Sequence, residues 1–264
     1  MLPRTVEDND LPIATPDETV AELLRRSKRR GFVAIRRAFV QSGPQGKPVP
    51  GPASALLRRH DEPGLDLFLL HRALATAHPY DVTRDARVFA RALGLATPRD
   101  PGAAAISQIW ARLATTHRLV AKAREGRLLK VTSLREDGSA RPYTPPGQKG
   151  DPEEVYLRLP VDYWLKGWHR KLSHVAKTML LIAASLPADF ILPIERAKPW
   201  YGVSADSAGS GIAELRESGL LVSRRERKVA PAAPLGFAVV VRHTLQPPFV
   251  HLRRNQRLRL VGAA

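Results

Sequence analysis

Residues 201–228, YGVSADSAGSGIAELRESGLLVSRRERK, decide how the chain is read. Gly202-Val203-Ser204 is a turn that ends on a helix N-cap residue, because a serine hydroxyl accepts one of the first free helical N–H groups. Ser207, Ala208, Ile212 and Leu215 then follow helical spacing and leave a narrow apolar stripe. Gly219 stops this helix at the position where a positive φ costs least. Leu220-Leu221-Val222 begins a short buried strand, and Arg224, Arg225, Arg227 and Lys228 continue it as a basic arm. The order predicts a helix, a tight exit and a charged hairpin, closed by the β-branched strand Phe237–Thr244 after a Pro-rich loop.

The same order occurs twice. Upstream, the dense apolar run Leu172–Leu186 predicts a buried helix broken by Pro187, and a short helix from Pro193 ends near Pro199. In the first half, Leu65–Ala77 is again a dense apolar helix, and Thr83–Leu93 predicts a helix stopped at Gly94. Ala103–Glu125 reads as one long helix ended by Gly126, with Ile106, Ile109, Trp110, Leu113 and Leu119 on its core face. Arg127–Leu134 follows as a strand. Leading strands are expected at Phe32–Val40 and Val155–Trp164, and residues 41–52 and 141–152 as Gly/Pro-rich excursions. At the start, Thr15-Pro16-Asp17-Glu18 is a capping box with proline in the first turn. Its helix ends in the cluster Arg25, Arg26, Lys28, Arg29 and Arg30, and residues 1–14 read as mobile.

The two halves share almost no identities, so the repeat is one of architecture. It predicts a mainly α chain with small antiparallel β-hairpins, an α+β fold. The divisions are an N-terminal arm and basic helix (1–30), a first unit (31–154), a second unit (155–245) and a basic tail (246–264). Helix, glycine, Leu-Leu-Val and basic hairpin together resemble the second half of a winged helix-turn-helix domain. Two such units in tandem, with leading strands and a long excursion after the first hairpin, are similar in architecture to plasmid replication initiators. That resemblance implies binding of duplex DNA, self-association as a homodimer and recruitment of host replication proteins. A transcriptional regulator working with transcription proteins, or an architectural module joining proteins, has the same fold.

Composition agrees with a polyanionic partner. The formal net charge is +17 over 264 residues, and the isoelectric point lies near 10.9; neutralising phosphates with such cations releases counterions. There is no cysteine, so disulfides, thiolate catalysis and cysteine-based zinc sites are excluded, in keeping with a reducing cytoplasm. No apolar run is long enough for a membrane span, and residues 1–18 lack the apolar core of a secretory signal. No phosphate-binding loop, H-E-x-x-H pair or dinucleotide fingerprint occurs, and His169 and His174 have no third ligand nearby in sequence. No catalytic residue, metal or cofactor is therefore assigned, and the chain is not read as an enzyme.

The candidate contacts fall into two sets. Base reading from a helix in the major groove is assigned to Ser107, Gln108, Arg112, Thr115 and Thr116 in the first unit. Ser204, Ser207 and Ser210 are the corresponding candidates in the second, whose helix is the poorer reader because its polar residues are short. Phosphate contact is assigned to Lys122, Arg124, Arg127, Lys130 and Arg141 around the first hairpin. Arg224, Arg225, Arg227, Lys228 and Arg242 take that role around the second. Gly209 and Gly211 inside a helix point either to close approach of DNA or to packing against another element.

Overall fold

A computed structural model of the chain describes residues 13–28, 31–44, 46–97, 99–148, 150–232 and 234–250. The sequence-predicted arm falls almost wholly outside these, as do Arg29, Arg30, Lys149 and the tail beyond Val250. The fold is α+β with small antiparallel sheets.

Helix α1 (Pro16–Arg26) begins as its capping box dictates: the Thr15 hydroxyl accepts from the Glu18 N–H, and the Glu18 carboxylate accepts from the Thr15 N–H. Arg25 and Arg26, at the basic end of this helix, both bind Glu22 at 2.6 Å. Strand β1 (Phe32–Arg36) stops short of Val40. The chain turns through a 3-10 segment at Arg37–Phe39, which carries Phe39 into the core against Phe68. The expected linker instead holds a small hairpin, β2 (Gln41–Ser42) and β3 (Val49–Pro50), and leads into α2 (Pro52–Arg58).

The first repeat follows: α3 (Glu62–Leu74), β4 (Asp81–Arg84), α4 (Ala86–Ala92), α5 (Ala103–Thr115), β5 (Val120–Glu125) and β6 (Leu128–Ser133). Two expectations fail here. The helix from Thr83 starts later, because Asp81–Arg84 pair with β6 and Asp85 caps α4. The long helix ends ten residues early. Thr115, Thr116 and His117 are poor helix formers, and Arg118 takes a left-handed φ of 55°. Val120 then begins a strand, because the alternation Val-Ala-Lys-Ala-Arg fits period two once the helix has ended.

The second repeat is led by β7 (Tyr156–Pro160), which gives way to the short helices α6 (Asp162–Leu165) and α7 (Trp168–Lys171) and does not run on to Trp164. Then come α8 (His174–Ser185), β8 (Phe190–Ile191), α9 (Ile194–Tyr201), α10 (Ala205–Glu217), β9 (Leu221–Val229) and β10 (Phe237–Leu245). Helix α9 passes through Pro199, where a stop was expected. Burial of Ala197 and Tyr201 and the left-handed Gly202 beyond them outweigh the bond that proline cannot donate.

Each repeat thus runs helix, strand, helix, helix, strand, strand, and in each three-stranded sheet the last strand lies in the middle: β4-β6-β5 and β8-β10-β9. The two leading strands pair with each other, antiparallel from Phe32↔Pro160 to Arg36↔Tyr156. Apolar residues of both repeats belong to one continuous buried cluster. The first helices meet as well: Lys177 of α8, nearly fully buried, binds Glu62 and Asp66 of α3 at 2.8 and 2.7 Å.

The two glycines of α10 separate. A Cβ on Gly211 would lie 2.6 Å from Met179 Cγ on α8, whereas one on Gly209 would meet nothing within 4 Å. Gly211 is therefore a packing residue. Gly211→Ala should lower stability by about 1–3 kcal/mol through overpacking. Gly209→Ala should raise it by about 0.5–1 kcal/mol through helix propensity. Urea midpoints of the two variants moving in the same direction would contradict this assignment.

Buried titratable groups set a pH dependence. Burial holds His71 down to about 3 and His169 to about 4. Burial raises Asp66 to about 6 against the opposing pull of Lys177. Between pH 6.5 and about 4 the unfolded chain takes up protons at both histidines that the folded chain refuses, so stability falls as pH falls. In part of that window folded Asp66 takes up one proton and opposes the trend. One net proton corresponds to roughly 1.4 kcal/mol lost per pH unit. Denaturant titrations at pH 7, 6, 5 and 4 check the slope, which His71→Gln should flatten.

Candidate nucleic-acid interface

Residues directly opposite each other in an antiparallel sheet project to the same face. In β4-β6-β5 one face holds Val82, Val131 and Lys122 in one row and Arg84, Leu129 and Arg124 in the next. Val131 is fully buried, so this is the core-facing side, and its outer reach carries three cations. None of Arg84, Lys122 and Arg124 forms an ion pair with a described residue. The opposite face holds Asp81, Thr83, Ala123, Glu125 and Lys130. It neutralises itself: Lys130 Nζ lies 2.9 Å from Asp81 Oδ2, and Thr83 Oγ1 donates to Glu125 at 2.8 Å.

The inner face opens toward α5. Arg84, Lys122, Arg124 and Leu129 together with Ser107 and Trp110 line a solvent-open cleft of about 420 Å³, with Arg127 at the hairpin turn. Arg84 lies in β4, where the sequence predicts a helix. The signal that marks it is local: Val82-Thr83-Arg84 followed by Asp85 as a cap.

The second hairpin repeats this sidedness. On the face that buries Leu221 against Leu245 follow Ser223–His243, Arg225–Val241, Arg227–Val239 and Val229–Phe237. Arg225 and Arg227 form no ion pair with a described residue, and the Arg227 guanidinium sits 4.6 Å from the Phe237 ring centroid. On the other face Arg224 binds Asp189 at 2.9 Å, and Arg242 binds Glu226 at 2.5 Å and Asp189 at 3.3 Å. Lys228 shares that outer face without an ion pair to a described residue.

The sequence-predicted sets are thereby divided. Lys122, Arg124, Arg127, Arg225 and Arg227 project from hairpins as charges unmatched by a described acid. Lys130, Arg224 and Arg242 sit in ion pairs on the outer faces. Arg141 belongs to the segment after β6, away from the hairpin itself, and binds Asp137 at 2.7 Å and Glu153 at 3.4 Å.

The helix candidates are placed unevenly. On α5, Ser107, Gln108, Arg112, Thr115 and Thr116 are all exposed. Ser107 and Thr115 donate back to Ala103 and Ala111 carbonyls within their own helix, each at 2.9 Å. The Arg112 fork is already filled by Asp61, at 2.7 and 2.9 Å, which also caps α3. Gln108 keeps an exposed amide. On α10, Ser204 is the N-cap and bonds the Ser207 hydroxyl at 2.8 Å, while Ser210 donates to the Asp206 carbonyl at 2.9 Å. All three hydroxyls are engaged inside their helix.

Among the described residues no group of three or more His, Cys, Asp or Glu is placed to hold a metal ion, and no helix is long and apolar enough to cross a membrane. Compared with models of protein families, with curated proteins and with solved structures, the chain matches none of them.

Proposed function

We propose that the chain binds duplex DNA through two winged-helix units in tandem, in the manner of a plasmid replication initiator. The observation that carries this reading is the shared sidedness of the hairpins. In both, the cations on the face that continues from the core, those beside α5 among them, are left without acidic partners, whereas on the far face Lys130, Arg224 and Arg242, though not Lys228, are neutralised within the protein. A charge pattern meant only to protect an exposed strand edge has no reason to favour one face. Cations held on a concave, helix-backed face suit a phosphate backbone running past them. In this reading α5 lies in the groove with Gln108 toward base edges, and α10 contributes packing more than reading.

Duplex binding measured by fluorescence anisotropy against salt is the test. The first-sheet cations Arg84, Lys122, Arg124 and Arg127 alone predict that log K falls against log salt with a slope of roughly −4. Absence of binding at low salt would remove the proposal. The initiator role is tested separately by mapping the bound sites: repeated sites within a replication origin support it, and a single operator beside a promoter favours a regulator.

A further inference from the structure

We infer that the inner face of the β9–β10 hairpin is a second base-reading surface, a two-stranded ribbon that lies in the major groove with Val239 and Val241 against thymine methyls. The inference rests on the proposal that the chain binds duplex DNA. Ser223–His243 is the last cross-strand pair that includes a buried residue on this face. Beyond it the ribbon continues through Arg225–Val241, Arg227–Val239 and Val229–Phe237, a free length of roughly 15–20 Å at the rise of a strand. Val239 and Val241 are 55% and 38% exposed, and Val229 is 88% exposed. They alternate with arginines that no described acid neutralises.

Phosphate anchoring alone explains the arginines and leaves the valines without a role. A surface alternating apolar side chains and guanidinium forks matches an occupant that offers methyl groups and anionic or acceptor edges side by side. The major groove of B-DNA does so: it admits a two-stranded β-ribbon, thymine presents its methyl there, and guanine presents two acceptors to an arginine fork. The Arg227 guanidinium, stacked on Phe237, is already held in place on that face. A second copy of this hairpin is a poor occupant of the ribbon, since Arg225 and Arg227 would face their own charges. Duplex RNA is another poor one, because its major groove is too narrow and deep for side chains to read. The ribbon thereby supplies what α10, with its serine hydroxyls bonded within the helix, lacks.

The experiment uses the full chain. Duplexes enriched from a random DNA pool are resynthesised with deoxyuridine in place of thymidine, which removes only the methyl. Loss of two methyl contacts should weaken wild-type binding about tenfold. The Val239→Ser, Val241→Ser double variant should bind the thymidine duplex as weakly as wild type binds the deoxyuridine one, ignore the substitution, and keep the wild-type salt slope. The inference is overturned if wild type is indifferent to deoxyuridine or if the double variant keeps its sensitivity. It is overturned equally if a duplex RNA of the same sequence binds as well, or if the ribbon variants lose binding to anionic phospholipid vesicles while DNA binding is unchanged. Steep, salt-dependent duplex binding with no sequence enriched would sink the ribbon alone. No duplex binding at low salt would sink both.

Discussion

Arg36→Met should destabilise the protein by about 3–5 kcal/mol, because it takes the nearest cation from two buried carboxylates. Arg36 is fully buried at the end of β1. Its guanidinium binds Glu136 at 2.9 Å and Glu154 at 2.8 Å, and donates to the Thr144 hydroxyl at 3.0 Å. Glu136 is fully buried too, and Glu154 nearly so. Arg135 adds a second cation to Glu154 at 3.1 Å, and the Arg72 guanidinium lies 3.6 Å from the Tyr143 ring centroid. These contacts hold the Pro/Gly-rich segment between β6 and β7 to the base of β1. The loss should appear as a lower urea midpoint with an unchanged denaturant slope, and as new proteolytic cleavage within residues 134–154. Replacing Arg36, Glu136 and Glu154 together by apolar residues of similar volume should recover part of the loss, since it removes the under-paired carboxylates while Arg72 and Arg135 each lose one acid. Equal instability of the single and triple variants would show that the network is not the cause.

The second large effect is on binding. The triple variant Arg84→Ala, Lys122→Ala, Arg124→Ala should weaken duplex binding about a hundredfold near physiological salt, at a net value of ~1 kcal/mol per charged contact. It should flatten the salt slope by about 2.7, at roughly 0.9 per phosphate lost. The control is Lys130→Ala, Arg224→Ala, Arg242→Ala, which removes the same formal charge from the outer faces of the two sheets. Those three cations already face Asp81, Asp189 and Glu226. Their loss should leave the slope nearly unchanged and instead lower thermal stability slightly, as exposed ion pairs contribute little. Parallel losses of binding in the two triples would mean that net charge, and not the inner face, governs association.

The elements that could be read in advance were those whose signals are local. The capping box at Thr15 and Glu18, the N-cap Ser204, the stop at Gly219 and the two dense apolar helices depend on residues within a few positions of one another. Alternation over short runs was less legible. Asp81–Arg84 and Val120–Glu125 were absorbed into helices because four to six residues fit either period, and only pairing with β6 decides between them. The partner of Arg112 is hidden from the sequence for a related reason: Asp61 lies 51 positions earlier, and nothing near Arg112 announces it.

Composition and punctuation were therefore sufficient for the α+β class, the three helices of each half in order and the excess of cations on two hairpins. Which cations are left without acidic partners could not be read that way. Lys122 and Lys130 look alike along the chain, yet register puts one on the cleft side and the other against Asp81. Arg36 and Glu136 are separated by 100 residues, and their burial together follows from the pairing of β1 with β7. Local propensity and spacing act over a few residues, whereas a side chain's partner, burial and free charge are set by whatever the folded chain brings across from it.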